Sequence, residues 1–256
     1  MGRICLAPRL VWFLLHRLCL MSDPQAHPEQ RFSYAETLAL LHRWAEAEVP
    51  LALDAKKHLV GQYDAGHQPR FELRLPLPMP AIDPETDGSL PAYLARLPDE
   101  MPPYVVALIQ IGAAALAYCE AGTPVQHKAF KKYMKRHKRG KAQISYLNTR
   151  GKSKAGSRIR LANTVAFFEE INERLTEWED AYEPQRILYS CTPQLWGLLF
   201  SSQVPPPFDK KDPRLIKVPT HVHVPDFEEL QRINRFAQGG RLTRFQTVGI
   251  PGVPPT

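Results

Sequence analysis

The chain has 256 residues, 44% of them apolar and 23% charged, with 33 Lys and Arg against 26 Asp and Glu. That length sustains a real hydrophobic core in one or two domains, and the apolar fraction excludes a wholly disordered chain. The net charge of +7 is local: residues 128–160 hold 13 Lys or Arg and no acid, leaving 20 bases against 26 acids elsewhere. Such a layout excludes a uniformly basic fold and points to one polyanion contact.

Met1–Leu20 contains Arg3, Arg9 and the apolar run Val11–Leu15, which His16 and Arg17 interrupt. The run is too short for a membrane span and is followed by no small-residue cleavage site. Met21-Ser22-Asp23 reads as a cytosolic start, and residues 1–21 as a non-native or disordered leader. Ser33-Tyr34-Ala35-Glu36 has the form of a capping box, and Leu38, Leu41 and Trp44 follow at helical spacing, predicting a helix over 34–47. A second short helix is expected from Ala55 to Tyr63. Phe71, Leu73 and Leu75 alternate with Glu72 and Arg74, the pattern of a half-buried strand. Pro76–Pro103 is dense in proline and acid, with Asp87-Gly88 as a turn, and reads as a linker or an irregular covering loop. Residues 22–103 are therefore expected to be a helical lead-in plus a proline-rich linker.

Tyr104–Ile111 and Ala113–Cys119 are apolar runs on either side of Gly112, predicting a hairpin of buried strands. Pro124–Arg139 is read as helical, on the spacing of Phe130 and Met134 with Tyr133 in support. Gly140–Gly156 has no apolar period and reads as a long polar loop. Val165, Phe168, Ile171, Leu175 and Trp178 predict a long helix capped by Asn163 or Thr164. Ile187–Tyr189 reads as a strand, Thr192-Pro193 as the start of a helix, and Leu215–Val218 as an edge strand. Pro225 opens a last helix on which Phe227, Leu230 and Ile233 share a face, and Gly239 ends it. The chain after Thr243 looks loose, giving a tail over 241–256. The order implies an α/β (α+β) fold with a mixed sheet and helices packed on it.

Cys119 and Cys191 are read as buried thiols of a reducing compartment; no cysteine spacing suits zinc. Cys119 beside Glu120 could serve as a nucleophile, but a buried strand cysteine is the stronger reading. His221 and His223 alternate on an expected strand without a third ligand nearby, so no metal is expected. His16, His42, His58 and His67 read as surface residues. Trp44, Trp178 and Trp196 read as core, while Tyr133 and Tyr146 flank the basic segment and could stack on bases.

The residues from His127 onward carry a resemblance. His127-Lys128-Ala129-Phe130, then His137-Lys138-Arg139-Gly140 and Gly140-Lys141-Ala142-Gln143, all following a buried hairpin, resemble the catalytic middle domain of archaeal and eukaryotic peptide-chain release factors. There, a His-Lys-x-Phe helix leads through Lys and Arg to a Gly-Gly-Gln loop. The match is closer to the Vms-type peptidyl-tRNA hydrolase branch of ribosome quality control and its bacterial members, which carry Gly-x-x-Gln. Ala155-Gly156-Ser157-Arg158-Ile159-Arg160-Leu161-Ala162-Asn163 resembles that branch's Ala-Gly-x-x-Leu-Arg-Arg-x-Asn stretch, with Leu161 replacing the second arginine.

The resemblance implies a release-factor-like catalytic domain over 104–240. It implies a cytoplasmic hydrolase without cofactor that cleaves peptidyl-tRNA, or removes the tRNA 3′ end, in the peptidyl-transferase centre of the large ribosomal subunit. Gln143 and Gly140 would be catalytic. Glycine permits close backbone approach, and a neutral amide donates and accepts hydrogen bonds with no charge to desolvate. Lys131, Lys132, Lys135, Arg136, Lys138, Arg139, Lys141, Arg150, Lys152, Lys154, Arg158 and Arg160 would bind RNA phosphates. The competing reading is a non-catalytic RNA- or ribosome-binding protein that uses 128–160 as an electrostatic anchor. A weaker one is a membrane-surface protein using Met1–Leu20 and the basic stretch.

Overall fold

In a computed structural model, which describes residues 29–132, 134, 155–246 and 249–254, the chain builds two five-stranded sheets. The elements run β1 (Glu29–Phe32), α1 (Tyr34–Glu46), β2 (Ala52–Asp54), β3 (Leu59–Tyr63), β4 (Pro69–Arg74), α2 (Leu90–Leu94), β5 (Tyr104–Gln110), β6 (Ala113–Glu120) and β7 (Thr123–Lys131). They continue with α3 (Ala155–Tyr182), β8 (Arg186–Ser190), α4 (Pro193–Phe200), β9 (Leu215–Lys217), α5 (Phe227–Ala237) and β10 (Gly240–Arg244). The first sheet has the order β1-β10-β4-β3-β2, the second β7-β6-β5-β8-β9.

The second sheet is covered on both faces, which is why β5 is an unbroken apolar run. Val105, Ala107 and Ile109 point to one side and meet Phe168, Ile171 and Leu175 of α3 and Leu195 of α4. Tyr104, Val106 and Leu108 point to the other and meet Leu230 and Ile233 of α5. The Tyr104 hydroxyl donates to Asn234 Oδ1 at 2.6 Å, and Asn234 Nδ2 donates to the Gly122 carbonyl at 2.8 Å, which pins α5 to the sheet. β7, β6 and β5 are antiparallel, while β5, β8 and β9 are parallel, with α3 as the crossover between β7 and β8. The mixed sheet with packed helices agrees with the expected α+β class.

The first sheet replaces the expected helical lead-in. The capping box is present, with the Ser33 hydroxyl accepting from the Glu36 N–H and the Glu36 carboxylate from the Ser33 N–H. The expected helix over Ala55–Tyr63 is instead the turn and second strand of a β2–β3 hairpin. Asp54 Oδ1 accepts from the Lys57 N–H at 2.9 Å, and His58 takes φ 54°, a local hydrogen bond that competes with helix. Pro76–Pro103 is not a linker: Leu77, Met79, Ile82, Leu90, Tyr93 and Leu94 are buried, so it covers the core. The expected loose tail is also corrected. β10 lies between β1 and β4, Leu242 is fully buried, and Trp44 Nε1 donates to the Pro251 carbonyl at 2.9 Å. His58 too is buried and not on the surface; its Nε2 lies 3.1 Å from the Pro76 carbonyl.

The two sheets meet along a polar seam. The Leu77 N–H donates to the Ala237 carbonyl at 2.8 Å, and buried Arg186 of β8 donates to the carbonyls of Leu77 (3.4 Å) and Pro213 (3.0 Å). No helix among the described residues is long and apolar enough to cross a membrane.

Candidate nucleic-acid interface

The basic segment enters through a strand, and this corrects the expected helix over Pro124–Arg139 as far as Lys131; residues 135–139 lie outside the described residues. Thr123–Lys131 pairs along β6, with Ala117 opposite His127, Leu116 opposite Lys128 and Ala114 opposite Phe130. The spacing of Phe130 and Met134 that suggested a helix arises because both insert into the core beneath α3. His127, Lys128, Ala129 and Lys131 are exposed along this outer strand. Exposed lysines on an edge strand also discourage pairing with another chain, so their charge alone does not demand a ligand. The His127 ring packs on Phe227 at the start of α5, with centroids 4.3 Å apart.

Two contacts fix the point where the chain leaves the sheet. The Lys132 N–H donates to the Gly112 carbonyl at 3.0 Å. Gly112 itself sits at φ +79°, and a Cβ there would lie 2.7 Å from the Lys132 carbonyl oxygen. Only glycine fits this hairpin turn without moving the exit. Lys132 Nζ then reaches Glu170 Oε1 on α3 at 2.5 Å, so its charge is matched locally.

The chain returns through α3, which begins at Ala155 and not at the expected cap, Asn163 or Thr164. Apolar periodicity reports only the packed part of a helix. Among its described side chains Phe167 and Phe168 are the first buried, whereas Ile159, Leu161 and Val165 are exposed. The described side chains between Ile159 and Ala166 are exposed or half-buried. The charge on α3 also runs against its dipole. Acids favour a helix N-terminus and bases a C-terminus, yet the first turn has no acid and the last no base. Arg158 and Arg160 lie on the early turns; Glu169, Glu170, Glu173, Glu177, Glu179 and Asp180 lie on the later ones. Helix stability alone does not favour this distribution.

Of the residues singled out in the sequence, Gly140, Gln143, Lys135, Arg136, Lys138, Arg139, Lys141, Arg150, Lys152 and Lys154 lie outside the described residues, as do Tyr133 and Tyr146. Lys131 and Lys132 stand at the exit and Arg158 and Arg160 on the return helix, so the four bracket the connection. The alternative chemistries fare poorly. Burial pushes the thiols of Cys119 and Cys191 up to about 12, which suits inert core residues. His221 and His223 lie on a loop and not on a strand, and no group of three or more metal-binding side chains occurs among the described residues. Trp44 and Trp178 are core as expected, while half-buried Trp196 stacks on Tyr189 at 4.3 Å. Sequence reading missed a cleft of about 450 Å³ where Arg31 of β1, Arg232 and Arg235 of α5 and Arg241 of β10 converge. No local signal marks it, because its residues come from opposite ends of the chain.

Residues 104–244, from β5 to the end of β10, match the family described as the Bacteroidetes VLRF1 release factor. The "tRNA endonuclease ANKZF1" of Mus musculus is 31% identical over 134 residues, covering 51% of this chain and 18% of that protein. The Homo sapiens protein of the same name is 31% identical over 133 residues, covering 50% and 18%. The chain therefore spans less than a fifth of the length of the curated relatives it matches. Among solved structures, the "Vms1 mitochondrial localization core" is similar with a TM-score of 0.43 at 14% identity, covering 92% of this chain and 93% of that one. The family match takes in more than half of the chain, including both strands and helix that frame the basic segment, and on that ground this chain belongs to the Bacteroidetes VLRF1 release factor family.

Proposed function

We propose that this chain frees nascent polypeptides from stalled ribosomes by cleaving peptidyl-tRNA, at the ester or at the tRNA 3′ end, with Gly140 and Gln143 as the catalytic pair. The observation that carries the reading is the frame of the acid-free connection. It leaves the sheet past Lys131, with Met134 anchored in the core, and returns on α3, where Ile159, Leu161 and Val165 are exposed. A protein that works inside an RNA cavity needs slender, carboxylate-free structure flanked by cations. The tRNA endonuclease activity named for the ANKZF1 relatives lies in the same reaction class.

In this reading the Gln143 amide orients the attacking group. For ester hydrolysis that group is water; for 3′-end removal it is a ribose 2′-hydroxyl. Backbone N–H groups beside Gln143 stabilise the developing oxyanion, and Gly140 allows close approach of the backbone to RNA. The basic residues of 131–160, apart from Lys132, which Glu170 holds, offset the phosphates around the substrate.

The test is a cleavage assay on stalled ribosome–nascent-chain complexes with the 3′ end of the released tRNA mapped. Gln143→Ala is expected to lower the cleavage rate by about 100-fold or more while ribosome binding persists. An intact CCA end assigns ester hydrolysis, and a shortened end assigns nuclease action. Full activity of the variant would remove Gln143 from the mechanism. If wild type binds ribosomes but cleaves nothing, the segment is a non-catalytic anchor.

A further inference from the structure

Arg31, Arg241 and Arg74 stand directly opposite one another across β1, β10 and β4, on the face of the first sheet turned away from α1. Like charges in register across a sheet destabilise it, so this row has a cost that the fold does not require. Next to it, α5 brings Arg232 and Arg235 to the same opening, a cleft of about 450 Å³ with Thr220 and Phe236 in its wall. Four guanidinium groups therefore share one concavity in a chain that is net acidic outside 128–160.

Their partners are few. Glu29 Oε2 lies 3.2 Å from Arg241 and 3.9 Å from Arg31. Glu229 is held by Arg232 through hydrogen bonds of 2.7 Å to each carboxylate oxygen. Arg235 makes no ion pair among the described residues, and Arg31 is 72% exposed at its side chain. Arg241 has its guanidinium 3.9 Å over the Phe236 ring, which restricts its motion and preorganises it. Burial and the facing charges of Arg31 and Arg74 hold Arg241 below its usual pKa against the pull of Glu29. A second negative charge would relieve that repulsion.

The cleft also lies on the side of the molecule that the basic strand faces. His127, Ala129 and Lys131 occupy the register positions opposite Ala117, Ala115 and Ala113, and Ala115 and Ala117 pack toward α5. His127 touches Phe227, and Arg235 lies eight residues further along the helix, about 12 Å by helical rise. That span covers roughly two phosphate steps of an RNA strand.

We propose that the cleft formed by Arg31, Arg232, Arg235 and Arg241 is a second RNA-backbone contact, which grips phosphates of structured RNA while the 131–160 region engages the cleavage site. The inference rests on the reading of the chain as a tRNA-directed enzyme. Planar guanidinium forks match phosphodiester oxygens, and contact through phosphates gives affinity and orientation without sequence choice. The RNA is either tRNA or ribosomal RNA, and separate probes distinguish them.

The test uses the full chain and the double variant Arg31→Gln/Arg235→Gln, which changes two exposed side chains. Binding to a labelled tRNA transcript and to large ribosomal subunits is measured across a potassium chloride series, with thermal melting to verify the fold. The variant is expected to lose about tenfold in affinity for one of the two probes, with the salt slope shallower by about 1.5 for two lost phosphate contacts. The probe that loses affinity names the RNA. Unchanged affinity and slope for both probes, with wild type binding normally, would overturn the cleft assignment and leave the function of Gln143 standing. Failure of wild type to bind either RNA would overturn both readings. Tight binding of inorganic pyrophosphate, lost in the variant while RNA affinity is unchanged, would make the cleft a small-anion site and also overturn the proposal.

Discussion

The second sheet is clamped between helices on both faces, while the first is packed by α1 on one face and presents arginines on the other. The difference is written in the strands. β5 is apolar at nearly every position, whereas β4 alternates Phe71 and Leu73 with Glu72 and Arg74. A strand with two covered faces has no room for charge; a strand with one covered face can carry function on the other. The second sheet therefore gives a rigid base for the basic segment, and the first gives a cationic surface beside it. The seam residues Leu77 and Arg186, with the two-residue step from α5 to β10, tie the two sheets together.

Paired core truncations can break this picture. Leu108 in β5 and Leu242 in β10 are both fully buried. Each replacement by Ala is expected to cost about 3 kcal/mol, read from denaturant midpoints at constant m-value. A seam that couples the sheets predicts that Leu242→Ala also speeds amide exchange in β5 and β6. Acceleration confined to β3 and β4 would show two separate units and refute the single seam.

What could be read from the sequence follows the same physics. β5, β6, α1 and α5 announce themselves because local periodicity equals local burial. β7 does not: only Phe130 is buried on this edge strand, so its 2-residue period is nearly silent, and Met134 beyond the strand mimics a helical repeat. The start of α3 is silent for a related reason, since Ile159, Leu161 and Val165 on it are exposed. The first sheet needs Glu29 opposite Thr243, a pairing that no local window can contain. The basic segment and its Gly-x-x-Gln were legible from composition and resemblance, whereas the arginine cleft exists only once the chain ends meet.

The seam can be sharpened by pH. Burial, then nearby Arg186, lowers the His58 pKa from 6.5 to about 3. The folded state thus keeps His58 neutral where the unfolded chain is protonated. Its contribution is full above about pH 6.5 and is lost progressively as pH falls toward 3. In wild type this term alone should remove about 2 kcal/mol between pH 7 and pH 5. His58→Gln, whose amide can still donate to the Pro76 carbonyl, is expected to flatten that limb. A variant with the same pH slope as wild type would mean that His58 is not neutral and enclosed at the seam.

The smallest effect separates a structural lysine from a free one at the edge of the second sheet. Lys132 is committed to Glu170, with the two side chains 23% and 44% exposed, whereas exposed Lys131 makes no ion pair among the described residues. A half-exposed pair contributes little, so Lys132→Gln should cost about 0.5 kcal/mol in a thermal melt and leave the salt slope of RNA binding unchanged. Lys131→Gln should do the reverse, with unaltered stability and a slope shallower by about 0.7. The neighbouring lysines are chemically identical, so opposite outcomes must come from their places on the strand. Lys131 points to the α5 side, where His127 and the arginine cleft lie, and Lys132 turns back to α3. If both variants lower the slope equally, the ion pair with Glu170 opens when RNA binds, and the exit of the basic segment is itself part of the RNA contact.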